Sequence, residues 1–101
     1  MTYRVELARR AVRDLHRLFQ QIDAADSAQA RAWFNMLEAA IVSLEEKPGR
    51  CPATPEDRML RHLLHGHGRN IYRVIFRIDE RQALVTVLQV RLGARRPLEG
   101  P

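Results

Sequence analysis

The sequence predicts an α+β domain in which an antiparallel hairpin of two helices covers one face of a small, mainly antiparallel sheet, in the order β-α-α-β-β-β. Three observations predict it. Apolar side chains recur at helical spacing twice in the first half of the chain. The second half instead carries runs in which every second residue is apolar, above all "NIYRVIFRID" at Asn70–Asp79. Between and after these runs stand turn residues, and no stretch repeats.

Taken in order, Thr2 to Leu7 alternates, with Tyr3, Val5 and Leu7 on one face, and reads as a first strand. From Ala8 the period lengthens: Ala8, Ala11, Val12, Leu15, Leu18, Phe19 and Ile22 form one stripe, and arginines fill the wet side. "DAADSAQA" ends that helix and starts the next, with Asp26 or Ser27 as N-cap. Ala30, Trp33, Phe34, Leu37, Ile41 and Leu44 make the second stripe, which stops at Pro48 and Gly49. So short a connection predicts that the two helices pack side by side. "PGRCPATPEDRML" holds three prolines and reads as an ordered surface loop. "LRHLLHG" follows as a short strand, "HGRN" as a turn, Asn70–Asp79 as a strand, "DERQ" as a turn and Ala83–Leu92 as a buried strand, before the loop-like tail "GARRPLEGP". With Tyr72, Val74, Phe76 and Ile78 turned to the helices, Arg73 and Arg77 are expected on a partly open sheet face.

A chain of 101 residues has room for a single core, so residues 1–101 read as one domain. Its composition, 46% hydrophobic and 29% charged, is that of an ordinary globular chain and excludes disorder. No apolar run is long enough to span a bilayer and the N-terminus shows no signal-peptide core, so no membrane partner and a cytoplasmic location are expected. The lone Cys51 cannot form an internal disulfide and is read as chemically silent. The net charge of +5 is lopsided: residues 1–49 hold seven basic and seven acidic side chains, residues 50–101 ten and five. Sixteen of the seventeen basic residues are arginine, which suits bidentate recognition of phosphate or carboxylate. An anionic partner is therefore expected on the C-terminal half. Nothing in the spacing calls for a cofactor, and the histidines lack the pattern of a metal site.

"YRVELARRAVRDL", "AWFNMLEAAIVSLEEKPGRCPATPE", "LRHLLHG", "YRVIFRID" and "VLQVRLGARRPL" together resemble the RelE/ParE superfamily of bacterial toxins, from Tyr3 to Leu98 and in the family's order. The resemblance implies the toxin of a type II toxin–antitoxin pair, silenced by a cognate antitoxin. It also implies one of two targets. RelE-like members cut mRNA in the ribosomal A site, and ParE-like members poison DNA gyrase; an adaptor that keeps only the fold is a third reading.

The nuclease reading assigns residues. Arg73, in "YR", matches the family arginine that contacts the scissile phosphate, and Arg95 or Arg96 matches a second arginine of that pattern. An arginine stabilises charge but is a poor base. Where RelE has lysines, on the strand before "YR", this chain has His62, His65 and His67, whose imidazoles titrate in the range a base or acid needs. Alternation puts His65 and His67 on one face and His62 on the other, unless a turn at Gly66 breaks the register. Leu98 stands where nuclease members often carry an aromatic residue or histidine. On these residue types ribosome-dependent mRNA cleavage is the preferred expectation and gyrase poisoning the alternative, for which no catalytic set is needed. Trp33 and Phe34 are expected in the core. The antitoxin of so basic a toxin should bring an acidic amphipathic segment to the open sheet face, the helical hairpin or both.

Overall fold

The structure is a computed structural model that describes residues 2–93. Its elements follow the predicted order: β1 (Arg4–Leu7), α1 (Arg9–Gln21), α2 (Ala28–Val42), β2 (Arg61–His65), β3 (Tyr72–Asp79) and β4 (Leu84–Leu92). Two single 3-10 turns, Ser43–Glu45 and Pro48–Arg50, carry the chain out of α2. Ser27 is the N-cap of α2; its hydroxyl accepts the Ala30 N–H at 3.1 Å.

The strands lie in the order β1-β4-β3-β2. β2, β3 and β4 form an antiparallel meander, while β1 runs parallel to β4, with Arg4 opposite Leu84. The sheet is thus mixed, and its first strand pairs with its last. Gly66 closes the β2–β3 connection at φ +109°, where any Cβ would stand 2.1 Å from the Asn70 carbonyl oxygen.

Both helices cover the same sheet face. Ala11, Leu15 and Leu18 of α1, Phe34, Leu37 and Ile41 of α2, and Val74, Phe76, Val85, Val87 and Val90 of the sheet form one buried cluster, with Tyr72, Ile78 and Trp33 packed at its margin. The expected side of β3 therefore faces the helices. Phe19 and Phe34 join α1 to α2 edge to face, their ring centroids 5.1 Å apart.

Within β4, Val85, Val87 and Val90 are all buried, which strict alternation forbids. A β-bulge reconciles them: Phe76 pairs with Val87 and Ile75 with Gln89, leaving Leu88 without a partner on β3. Beyond the bulge every β4 side chain changes face, so Val90 turns inward and Arg91 comes out opposite Arg73. The Val90 N–H is taken by the Asp14 carboxylate of α1 at 2.9 Å. Asp14→Ala should strand that amide and destabilise the fold by about 1–3 kcal/mol, seen as a lower urea midpoint, whereas Asp14→Asn, which retains an acceptor, should lose less.

Candidate functional site

The sheet face turned away from the helices carries the arginines that the sequence singled out, though not as expected. Arg73 and Arg77 both stand on it, and Arg77 is exposed. Arg73 is not: it is 4% exposed, a buried cation rather than a side chain on an open surface. Its neighbours explain how the fold tolerates this. Nη1 and Nη2 donate to the two carboxylate oxygens of Glu56 at 2.9 and 2.7 Å, and Nε donates to His62 Nδ1 at 3.0 Å. Three of the guanidinium's five N–H groups are so engaged. Gly93, bonded through its N–H to the Ile71 carbonyl, lacks the Cβ that would collide with the Arg73 stem at 2.2 Å.

Glu56 comes from the proline-rich loop, whose shape is set locally. Thr54 accepts the Asp57 N–H at 3.0 Å and donates its hydroxyl to the Asp57 carbonyl at 2.8 Å. The Thr54 N–H reaches the Leu60 carbonyl at 2.8 Å, and Asp57 Oδ1 accepts the Met59 N–H at 2.8 Å. These bonds present Glu56 over the end of β3. The hydrogen bonds from Arg73 hold its carboxyl down at about 2, opposed by burial and helped by a backbone hydrogen bond and by the charges of Arg73 and Arg91. Sequence reasoning named neither Glu56 nor Arg91 beside Arg73.

The histidines part company. His62 lies opposite Ile75, on the outer face beside Arg73. Because a guanidinium only donates, His62 Nδ1 must be the bare nitrogen and the proton sits on Nε2. Burial, then the Arg73 charge, lowers its pKa from the usual value, with Glu56 opposing. His65 lies opposite Tyr72 and points to the helix side, against the Trp33 ring at 5.1 Å; burial lowers its pKa too. The strand ends there, so His67 falls in the exposed turn after Gly66 and does not share the His65 face. Arg95, Arg96 and Leu98 lie outside the described residues. Among the described residues no three His, Cys, Asp or Glu side chains gather as a metal site would require, and no helix is long and apolar enough to cross a membrane.

In chemical terms the neighbourhood of Arg73 on the outer face combines a buried arginine, a second arginine across the strand, a neutral histidine and the Glu56 carboxylate. It can bind an anion. Among the described residues beside Arg73 no free imidazole is available as a base: the lone pair of His62 is taken, and Nε2 carries a hydrogen.

Comparison with known proteins adds the following. Residues 5–97 match the family model for the ParE toxin of the type II toxin–antitoxin system parDE. No curated protein sequence matches the chain. Among solved structures, the chain is similar to one of the chromosomal ParDE toxin–antitoxin system from P. aeruginosa, with 14% identity and TM-score 0.72, covering 90% of this chain and 96% of that one. It is similar to a chain of the toxin–antitoxin complex RelBE2 from Mycobacterium tuberculosis, with 29% identity and TM-score 0.60, covering 93% and 94%. A mutant of E. coli toxin RelE in the free state gives 16% identity and TM-score 0.65, covering 93% and 86%. The likenesses to the ParDE and RelE structures are at the level of fold.

Proposed function

Because the chain belongs to the ParE toxin family of type II toxin–antitoxin systems, we propose that it arrests growth as a ParE-like poison of DNA gyrase, by binding rather than by cutting RNA. One observation carries this reading: Arg73 Nε engages the lone pair of His62, the imidazole beside it on the outer face, so the arginine that would meet a scissile phosphate has no free imidazole at hand. A gyrase poison needs a shaped, charged surface and no general base. The outer sheet face offers that with Arg73, Arg77 and Arg91, and with the exposed Leu64 beside them.

The cognate antitoxin is the second partner in this reading. A groove of about 370 Å³ along the hairpin, lined by Leu7, Val12, Leu15, Phe19, Phe34 and Glu38, leaves Leu7 and Val12 substantially exposed. Such a surface suits the apolar side of an amphipathic segment, whose acidic side complements the basic chain.

Ribosome-dependent mRNA cleavage stands as the second reading, supported by the 3.0 Å contact of His62 with Arg73 and by Arg91 across from them. Expression without antitoxin separates the two. The gyrase reading expects DNA breaks trapped with gyrase, uncut message, and an arrest that survives His62→Ala. Message cut at the ribosomal A site, slowed roughly 10²–10⁴-fold by His62→Ala, would replace it with the nuclease reading.

A further inference from the structure

The geometry points to Glu56 as a built-in plug of an anion site: its carboxylate sits on Arg73 in the place of a nucleic-acid backbone phosphate and gives way to one. This deepens the reading of the outer face as the working surface, and its test needs neither gyrase nor ribosome.

The two partners differ sharply in burial. The Arg73 side chain is 5% exposed and the Glu56 side chain 50%. A cation that dry requires an anion against it, yet the anion provided is half in water and free to rotate away. The loop does not depend on the pair for its shape, since the Thr54–Asp57 turn and the bonds to Leu60 and Met59 fix it. Opening the site therefore asks for a change of side-chain rotamer and no unfolding.

The forked contact of two N–H groups with two oxygens is equally the contact of a guanidinium with a phosphodiester. The charge around it favours exchange. Arg91 stands opposite Arg73, and its charge acts on Glu56. The other carboxylates of this face, Glu6 and Asp79, lie farther along the strands, level with Arg77 and beyond it, and Glu6 is held by Arg4. Glu56 thus faces two arginines alone, and a polyanion laid along β3 could meet Arg77 as well, about 13 Å from Arg73 at strand rise.

The purified chain, labelled for NMR, is titrated with sulfate and with a short single-stranded oligonucleotide. Each should perturb the Arg73 Nε–H and free the Glu56 carboxyl, whose titration midpoint should climb from about 2 toward its ordinary 4.5. This measurement on the unaltered chain decides the matter even if variants fold poorly. Glu56→Gln should bind the oligonucleotide about 10-fold tighter, and adding Arg73→Met should erase the gain. Asp57→Asn, the same charge change one residue away, should leave affinity within about 2-fold. A Glu56 midpoint unmoved at saturation would overturn the plug, as would an equal gain from Asp57→Asn. Response to sulfate without response to the oligonucleotide would overturn the nucleic-acid assignment. Loss of the gyrase reading alone would change none of these titrations.

Discussion

Glu56→Ala should cost about 2–4 kcal/mol of folding stability, and Arg73→Met only about 1 kcal/mol, although the two substitutions break the same ion pair. The asymmetry follows from where each charge would be left. Without Glu56, a guanidinium that is 4% exposed keeps only the His62 nitrogen for company. Without Arg73, a carboxylate already half in water completes its hydration, and methionine refills the channel over Gly93 with an apolar stem. Urea midpoints at neutral pH check the order, and equal losses would show that the burial of Arg73 is not what sets the cost. Acid adds an independent sign. Glu56 is depressed from 4.5 to about 2, so the unfolded chain takes up its proton first as pH falls. The pair's contribution is complete above about 4.5 and fades toward 2; exposure of the carboxylate keeps it at the small end of the range. Arg73→Met should lack that acid limb. His62 and His65, both lowered from 6.5, work in the same direction at milder acidity: the unfolded chain binds their protons more readily, so stability declines below about 6.5.

Phe76→Ala should destabilise the domain by about 3–5 kcal/mol. Phe76 is fully buried on β3, flanked by β4 and β2 and roofed by the helices, so no neighbour can collapse into its space without moving a strand or a helix. Against a total stability of about 5–15 kcal/mol, that loss leaves a marginal fold. Calorimetry should show a fall in Tm of roughly 12–40 °C, at about 4–8 °C per kcal/mol for a domain this size. Met36, exposed on α2, serves as the contrast: Met36→Ala should stay within about 0.5 kcal/mol. A comparably small effect at Phe76 would place the core elsewhere.

The helices and the facing of β3 were legible because burial imposes a period on the residues that perform it. Leu15, Leu18, Phe34, Leu37 and Ile41 are apolar at helical spacing, and Val74 and Phe76 at strand spacing. Bulge and parallel edge were not legible. "ALVTVLQVRL" is apolar and β-branched almost throughout, so nothing in it marks Leu88 as the residue without a partner, and the acceptor that meets the displaced amide is Asp14, far away in the chain. β1 alternates whether its neighbour runs parallel or antiparallel.

At the site, sequence spacing located Arg73 and Arg77 on one face and separated His62 from His65, and the structure brings His62 beside Arg73. Spacing missed that Arg73 is covered, because the covering acid sits in a loop without periodicity, and loops are placed by turns such as Thr54–Asp57 rather than by pattern. His65 and His67 shared a parity but not a face, since Gly66 ends the strand between them.

The pairing of β1 with β4 has a consequence for how the molecule comes into being. Residues Arg4 to Leu7 are made first, yet the strand that binds them arrives some eighty residues later, with Leu84 opposite Arg4. Asp14 likewise waits for Val90. A chain emerging from synthesis can form its helices and the β2–β3 hairpin as it goes, but the closing contacts carry nearly the largest loop-closure cost this length of chain permits. Folding is thereby deferred to the last strand. The same strand brings Arg91 and Gly93 to Arg73. In the interval the nascent chain has no finished outer face.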